Sequence, residues 1–240
     1  MKDEMVLTEG SERKTYVTKM FNSIAHRYDL LNHLLSGGID IYWRKKAVSK
    51  LSMDKKGLIL DLATGTGDLA IEVISQKKCK VIGADIALRM LKFGNQKIDK
   101  KKLASQCRFV NADGEELPFP DKIFNGVTIA FGIRNMGTIP DALMEMYRIL
   151  KPDGEAIILE FSLPTFKPFR ALYLFYFNKI LPIIGNLISK DRAAYSYLPA
   201  SVEKFPAIGE FTSWMNEAGF RNLKHWKLLN GIAVIYKGTR

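Results

Sequence analysis

From Gly57 onward the sequence alternates short apolar runs with helical patterns, and this alternation constrains the fold more than any other feature. The apolar runs predict five strands, at 58–62, 80–85, 108–112, 125–130 and 155–161. Helical patterns lie between several of them, at 69–76, 88–98 and 141–150. Because parallel neighbours need a crossover connection, strands that alternate with helices predict a doubly wound, mostly parallel sheet.

The end of the chain departs from this pattern. A helical stretch over 211–218 ends at Gly219, and two strand-like runs follow at 223–228 and 232–236. Asn230-Gly231 between these runs is a strong hairpin-turn signal. An antiparallel hairpin that closes a parallel sheet is typical of class I S-adenosylmethionine-dependent methyltransferases. We therefore predict this Rossmann-like α/β fold, with a seven-stranded, mostly parallel sheet and an antiparallel terminal hairpin.

The chain reads as a single domain over 1–240 with two appended segments, a helical N-terminal lid at 1–50 and an apolar lid insertion at 163–202. The most apolar part of the insertion is Phe166–Ser189. Lys167, Arg170 and Lys179 interrupt it, and it has no uncharged run near the roughly 20 residues that a membrane-spanning helix needs. The insertion is therefore not predicted to cross a membrane.

The composition is basic, with 36 Lys and Arg against 25 Asp and Glu and a net charge of +11. This excess suits nucleic acid, an anionic membrane surface or an acidic ligand, and it is equally compatible with ordinary solvated charge. The only two cysteines, Cys79 and Cys107, form no CxxC pair, and the three histidines are scattered, so no metal site is predicted. With no secretory signal in the polar N-terminus, these features indicate a cytoplasmic protein.

A glycine-rich loop, Asp61–Asp68, follows the first predicted strand and opens a helix. Gly65 and Gly67 allow backbone N–H groups to approach a ligand closely, and the helix N-terminus beyond them is electropositive. Such a loop can bind a carboxylate or a phosphate, but it can also be a simple structural turn.

Acidic residues at the ends of the next two strands strengthen the binding interpretation. Asp85 can accept hydrogen bonds from both hydroxyls of a ribose, or it can cap a helix. Asp113, next to Gly114, can hold an adenine amino group, or it can be a turn residue. The loop and both acids lie at the carboxyl ends of adjacent parallel strands, where open α/β sheets bind their ligands.

The loop must be assigned to either NAD or S-adenosylmethionine. The third position of the dinucleotide pattern G-x-G-x-x-G is Ala70 here, and since alanine is permitted there, this residue does not exclude NAD. Asp68, at the helix entrance, repels a pyrophosphate and tolerates a sulfonium and an ammonium group. Together with the terminal hairpin, Asp68 favours S-adenosylmethionine as the cofactor.

Several longer motifs resemble the signatures of the quinone-biosynthesis C-methyltransferases, that is, the demethylmenaquinone and ubiquinone-precursor methyltransferases, and the resemblance extends over roughly residues 16 to 238. The motifs are Met20–Asn32, Gly38-Ile39-Asp40 with Trp43-Arg44, Ala112–Phe119, Phe131–Asn135 and Tyr195–Leu198. The Tyr-Asp, Gly-x-Arg-Asn and Tyr-x-Tyr-Leu elements in them are far more specific than the glycine loop.

The resemblance implies S-adenosylmethionine-dependent methylation of a ring carbon of a prenylated quinol. Among bacterial members it is closest to those that convert demethylmenaquinol to menaquinol, and the benzoquinol precursor of ubiquinone is the alternative acceptor. It also implies that Thr66, Asp85, Asp113 and Gly114 contact the cofactor, and that Ala130 does so through its backbone.

A quinol carbon becomes nucleophilic as the neighbouring hydroxyl loses its proton, so the expected substrate is the reduced ring. Arg134, after the fourth strand, would stabilise the phenolate, since a guanidinium stays protonated, or it would pair with a structural carboxylate. Asn135 would orient the same oxygen or cap a turn. Tyr28 lies on the N-terminal segment, which we expect to fold over the cofactor. His26 and His33 are given no catalytic role.

An RNA or protein methyltransferase is the competing enzyme class, and a catalytically inactive binding subunit is a third reading. The segment after the fourth strand lacks the Asn/Asp-Pro-Pro-aromatic motif of amino-group methylation, and no RNA-binding module is present, so no nucleic-acid partner is expected. The aromatic residues of the insertion, with Lys167 and Arg170, would suit a peripheral membrane surface or an ordinary buried lid helix. A homodimer is left open.

Overall fold

The computed structural model describes residues 10–52, 57–176 and 192–240, and its centre is a seven-stranded sheet. The strands are β1 (Leu58–Leu62), β2 (Lys80–Asp85), β3 (Cys107–Asn111), β4 (Phe124–Ala130), β5 (Leu150–Phe161), β6 (Arg221–Leu228) and β7 (Ala233–Thr239). Their order across the sheet is β3-β2-β1-β4-β5-β7-β6. Strands β1 to β5 are parallel, and β7 runs antiparallel to both β5 and β6. The predicted parallel sheet with its terminal hairpin is confirmed.

Some of the helices belong to the core and others to the two appended segments. The described helices are α1 (Ser11–Ile24), α2 (Tyr28–Leu35), α3 (Ile39–Val48), α4 (Asp68–Lys77), α5 (Leu88–Lys100), α6 (Ile139–Ile149), α7 (Lys167–Phe175), α8 (Arg192–Lys204) and α9 (Ile208–Glu217). The first three belong to the N-terminal segment, and α7 and α8 belong to the apolar insertion. Helices α4, α5, α6 and α9 connect and cover the strands, as parallel neighbours require.

The sheet is buried on both faces, which explains why its strands read as nearly continuous apolar runs. Leu60 and Ile129 pack with α6 and α9 on one face, whereas Ile59 and Ile157 pack with α3 and α4 on the other. A helical N-terminal segment therefore completes one layer of the core.

The largest differences from the sequence prediction lie at the start of β5 and at the hairpin turn. Helix α6 ends at Ile149, and β5 already begins at Leu150, which pairs with Phe124. Since Gly126 pairs with Glu155, the turn-like residues 151–154 bulge out of an otherwise continuous strand. The hairpin turn is longer than two residues, spanning Leu229 to Ile232, but its Asn230 and Gly231 have the positive φ angles, 54° and 93°, that this dipeptide favours.

The centre of the apolar insertion, residues 177–191 with Lys179 and Pro182, lies outside the described residues, as does the side chain of Tyr195. In the described part of the chain, every helix is too short or too polar to cross a lipid bilayer.

Candidate active site

A buried carboxyl group at the end of β1 anchors the glycine loop between β1 and α4. Asp61 is fully buried and accepts hydrogen bonds from the hydroxyls of Thr64 in the loop and Thr128 on β4, at 2.6 and 2.9 Å. Gly67 has a φ of 84°, and a Cβ there would lie 2.5 Å from a ring carbon of Phe109. Only glycine therefore fits at this position, because both the backbone angle and the space require it.

Asp85, at the end of β2, binds the same loop at Gly65. Its carboxylate accepts hydrogen bonds from the backbone N–H groups of Gly65 and Ala87, each at 2.8 Å. Burial raises the pKa of this carboxyl, and these backbone hydrogen bonds act in the opposite direction. Asp85 therefore lines the cleft and also accepts a hydrogen bond from Ala87, the residue that precedes α5.

Most of the predicted site residues line one cleft at the carboxyl ends of the central strands. They are Tyr28, Gly65, Asp85, Asp113, Gly114, Ala130 and Asn135. Apolar side chains, among them Ile86, Met90 and Met136, complete the walls. Two carboxylates beside an apolar slot match a nucleoside: one can bind ribose hydroxyls, the other an amino group, and the slot a base.

Thr66 and Gly67 do not line this cleft. The buried Thr66 hydroxyl donates to Asp29 of α2 and accepts a hydrogen bond from Lys97 of α5, 3.1 Å away. The hydroxyl proton of Thr66 is therefore occupied, and a ligand contact at this residue would use its backbone or the remaining lone pair of its oxygen.

Lys97 joins the N-terminal segment to the glycine loop. Its ammonium lies 2.5 Å from Asp29 of α2 and 2.6 Å from Asp68 at the start of α4. The carboxylate of Asp68, predicted to repel a pyrophosphate, is therefore held by a lysine behind the loop. These contacts fix the position of α2 over the glycine turn.

Lys14 of α1 is a lining residue that the sequence analysis missed. Its ammonium lies 2.8 Å from Asp113 and 3.0 Å from Glu115. Burial acts to lower the pKa of Lys14, but the hydrogen bonds to these two carboxylates outweigh it and raise the pKa. The basic composition made one lysine on a polar helix indistinguishable from solvated surface charge.

A second cavity, of about 330 Å³, lies next to the cleft, and Phe21, Tyr28 and Phe131 line both. We call this cavity the acceptor chamber, because we propose that it binds the methyl acceptor. Its other walls are mainly aromatic and aliphatic and include Met20, Ile24, Trp43, Phe161, Tyr173 and Tyr176. Helices α1, α2, α3 and α7 therefore build the chamber together with the ends of the central strands.

Arg134 lies in the wall of the acceptor chamber and does not line the cleft. Its Nη1 donates to Glu160 of β5 and to the carbonyl oxygen of Phe131, both at 2.6 Å, and its Nε donates to Ser201 of α8 at 3.3 Å. The guanidinium is thus paired with a structural carboxylate, as the second of the two expectations held, and it also lines the chamber.

Glu160 is fully buried and was not predicted as a site residue. The signal for it was a single acid inside the apolar run of β5, since a buried charge is retained only when it is paired. Besides the hydrogen bond from the Arg134 guanidinium, Glu160 accepts hydrogen bonds from the backbone N–H groups of Arg134 and Phe161.

Asn135 faces the cleft although it follows Arg134 directly. Its side-chain oxygen accepts a hydrogen bond from the buried Tyr197 hydroxyl of α8, at 2.9 Å. Arg13 of α1 in turn donates to the backbone oxygen of Arg134. The turn after β4 is therefore held by the N-terminal helix on one side and the insertion on the other.

Tyr28 separates the two cavities, with its ring 3.8 Å from the position that a Cβ on Gly65 would take. Burial raises the pKa of its hydroxyl, so Tyr28 stays protonated at neutral pH and can donate a hydrogen bond. Among the residues that the structure describes, no cluster of three or more histidine, cysteine or carboxylate side chains is placed to hold a metal ion.

The strand order, the terminal hairpin and the carboxylate-lined cleft beside a glycine loop define a class I S-adenosylmethionine-dependent methyltransferase. Solved structures of such enzymes share the fold. One, an S-adenosylmethionine-dependent methyltransferase from Thermotoga maritima described as a possible histamine N-methyltransferase, superposes with a TM-score of 0.67 at 19% identity and covers 92% of this chain and 98% of that one.

The chain belongs to the ubiE/COQ5 methyltransferase family, whose model matches residues 8–240. A ubiquinone/menaquinone biosynthesis C-methyltransferase from Geotalea uraniireducens is 47% identical over 236 residues, which is 98% of this chain and 99% of the relative. A demethylmenaquinone methyltransferase from Thermus thermophilus is 46% identical over 222 residues, covering 92% of this chain and all of the relative. The protein is therefore a C-methyltransferase that uses S-adenosylmethionine, as the sequence predicted.

Proposed function

We propose that the enzyme transfers the methyl group of S-adenosylmethionine to a ring carbon of a reduced, prenylated naphthoquinol, converting demethylmenaquinol to menaquinol. The observation that carries this proposal is the aromatic acceptor chamber, which adjoins the cofactor cleft and contains an arginine. A fused aromatic ring fits such walls, and the shared residues Phe21, Tyr28 and Phe131 mark where the two ligands would meet.

The cleft fits the cofactor in its chemistry. We assign the ribose hydroxyls to Asp85 and the adenine amino group to Asp113, with Gly114 and Ala130 offering backbone contacts. S-adenosylmethionine supplies a sulfonium methyl group, which is a strong electrophile and needs only a nucleophilic carbon held in line with it. Gly65 and its neighbours in the loop bind the amino-acid end.

Arg134 makes the acceptor carbon nucleophilic by stabilising the phenolate beside it. The proton of that hydroxyl would pass to solvent, the ring carbon would then bond to the methyl group as the methyl–sulfur bond breaks and S-adenosylhomocysteine leaves, and loss of the ring proton to solvent would restore aromaticity. Glu160 and Ser201 hold the guanidinium in place, so the phenolate oxygen would be bound by a donor that needs no reorganisation. Tyr28 and Asn135 position the donor and acceptor relative to each other.

We propose a naphthoquinol acceptor ahead of a benzoquinol because one group of similar relatives carries the name demethylmenaquinone methyltransferase. Another group carries a name that includes both quinone pathways, so the benzoquinol precursor of ubiquinone stays as the second candidate.

The experiment offers purified enzyme labelled S-adenosylmethionine and three acceptors under anaerobic, reducing conditions. These are a short-tailed demethylmenaquinol, a short-tailed demethylated benzoquinol and bulk RNA. We expect label in the naphthoquinol, little in the benzoquinol and none in RNA. A variant with Arg134→Gln should bind the cofactor normally and lose most of its kcat. Label in RNA, with none in either lipid, would refute the proposal.

The prenyl tail needs a route from a membrane, and we infer that the enzyme docks on one beside the chamber opening. Leu229 lines the chamber and is 48% exposed. Phe166 and Phe175 are 60% and 58% exposed. The backbone N–H of Thr165, next to Phe166, donates a hydrogen bond to the backbone oxygen of Asn230, in the hairpin turn that contains Leu229. Exposed aromatics next to Arg170 suit the headgroup region of an anionic bilayer.

Flotation with vesicles of anionic and of neutral lipid tests this docking surface. We expect binding to anionic vesicles that weakens in the double variant Phe166→Ser, Phe175→Ser. Met144 on α6 is 52% exposed and lies away from the chamber, so Met144→Ser is the matched control. Equal flotation of all three proteins would exclude this surface.

Residues 1–50 and 163–202 would act as lids, since both contribute walls to the chamber.

A further inference from the structure

The acceptor chamber contains a second arginine–carboxylate pair, formed by Arg44 and Asp40 of α3. Both residues line the chamber and are nearly buried, at 8% and 3% exposure. The Nη1 atom of Arg44 lies 2.5 Å from Oδ2 of Asp40. The pair therefore resembles that of Arg134, the other guanidinium in the wall of this chamber, with the buried Glu160.

The two guanidiniums are arranged around one aromatic stack. Phe131 and Phe161 stack with ring centroids 4.3 Å apart. Arg44 lies over the Phe131 ring at 6.0 Å, and Arg134 lies over the Phe161 ring at 5.3 Å. An aromatic ligand that packs against this stack would thus have a charged donor near each of its two ends.

The carboxylate of Asp40 has capacity left for a ligand. Its Oδ1 accepts from the Ser36 hydroxyl at 2.7 Å, and its Oδ2 accepts from Arg44 and from Nδ1 of His33 at 2.9 Å. A carboxylate offers about four lone-pair positions, so one remains after these three described contacts. Burial acts to raise the pKa of Asp40, but the Ser36 hydrogen bond and the Arg44 charge outweigh it and lower the pKa.

We propose that Asp40 and Arg44 form a second hydroxyl-binding site in the acceptor chamber, through which the enzyme selects the reduced ring over the oxidised quinone. This inference rests on the proposed function. A quinol carries two hydroxyls on opposite edges of its ring. While Arg134 binds the oxygen beside the methyl-accepting carbon, Asp40 accepts a hydrogen bond from the other hydroxyl, and Arg44 donates to its oxygen.

Selection against the quinone follows from the charge of Asp40. A quinone carbonyl has lone pairs and no proton, so an ionised carboxylate that would accept a hydrogen bond from the quinol instead repels the oxidised ring. Buried sites that hydrogen-bond a hydroxyl discriminate strongly against ligands lacking it, because a polar group is then left unpaired. The enzyme would thereby avoid occupation by the unreactive form of its own substrate.

Binding measured without turnover tests this directly. The wild-type enzyme is saturated with S-adenosylhomocysteine, and the affinities of a short-tailed demethylmenaquinone are compared in air and, anaerobically, after reduction. We expect the quinol to bind on the order of tenfold to hundredfold more tightly than the quinone. In Asp40→Asn, the amide can donate to a carbonyl, so quinone affinity should rise and the preference should fall towards one.

The rise in quinone affinity is the decisive readout, since a damaged fold would weaken binding of both rings. Arg148 on α6 also pairs with a carboxylate on its own helix and lines neither cavity, so Arg148→Gln should keep the wild-type preference. An unchanged preference in Asp40→Asn would overturn the inference.

Should Asp40→Asn fail to fold, a modified ligand gives the same answer on the wild-type enzyme. The probe is a prenylated naphthol that keeps the hydroxyl beside the methyl-accepting carbon and lacks the one beside the tail. We expect it to bind about tenfold or more weakly than the quinol. Equal affinity would refute the second hydroxyl site alone, whereas absence of methylation of either ring would refute the proposed function itself.

Discussion

Asp61, beneath the cofactor loop, should make the stability of the protein fall as the pH rises towards neutrality. Burial raises the pKa of this carboxyl from 3.8 to about 7, against the smaller lowering effect of the hydrogen bonds from Thr64 and Thr128. Between these two values the unfolded chain ionises Asp61 while the folded chain keeps it protonated. Ionisation then stabilises only the unfolded state, so the free energy of unfolding falls as the pH rises between these two values.

The magnitude follows from the size of the shift. A difference of about 3 pKa units corresponds to roughly 4 kcal/mol at 1.36 kcal/mol per unit, with no contribution below about pH 4 and the full loss above about pH 7. Asp61→Asn removes the titration and can keep both threonine hydrogen bonds, since an amide oxygen accepts and its NH₂ group donates.

Urea unfolding of both proteins at several pH values between 4 and 8 measures the effect. We expect the variant to gain several kcal/mol relative to wild type across this range. Asp153→Asn, in the exposed bulge of β5, is the matched control, because an exposed carboxyl keeps its hydration in both states. A difference between Asp61→Asn and wild type that stays constant with pH would refute the reasoning.

Three further substitutions test the contacts that build the site. Glu160→Gln leaves Arg134 without its buried counter-charge, so melting experiments should show a loss of roughly 3–5 kcal/mol, with a fall in kcat and little change in cofactor affinity. Gly83→Ala places a Cβ 2.4 Å from a ring carbon of Phe109, and unfolding measurements should show about 1–3 kcal/mol of destabilisation. Lys97→Met releases the N-terminal segment from the cofactor loop; calorimetry should show weaker S-adenosylmethionine binding, with a stability change below about 1 kcal/mol.

The sheet could be predicted because its determinants are local. Apolar runs of strand length, separated by helices, leave few alternatives to a parallel sheet. Asp85 and Asp113 could be placed near each other for the same reason, since each follows a strand whose carboxyl end reaches the same edge. The bulge at 151–154 could not be predicted, because the sequence there contains only turn residues and the pairing of Leu150 depends on the neighbouring strand.

The contacts from the N-terminal helix lay beyond sequence reasoning for a different reason. Lys14 and Arg13 reach the site only because α1 packs across the carboxyl ends of the strands, and that packing is set by side chains far away in the sequence. Thr66 illustrates the converse. Its place in the loop is fixed by local glycine geometry, yet its hydroxyl is occupied by Asp29 and Lys97, which come from two other helices.

The turn after β4 explains why a recognised motif did not reveal which ligand each of its residues faces. Phe131 leaves the strand with a φ of 57°, and Ile133–Asn135 form a single turn of 3₁₀ helix, in which successive side chains point about 120° apart. Arg134 therefore enters the acceptor chamber while Asn135 faces the cofactor cleft. Because one short turn supplies a wall of each cavity, a shift of this turn would move both walls together, and its bonds to Glu160 and Tyr197 keep the two cavities in a fixed relation.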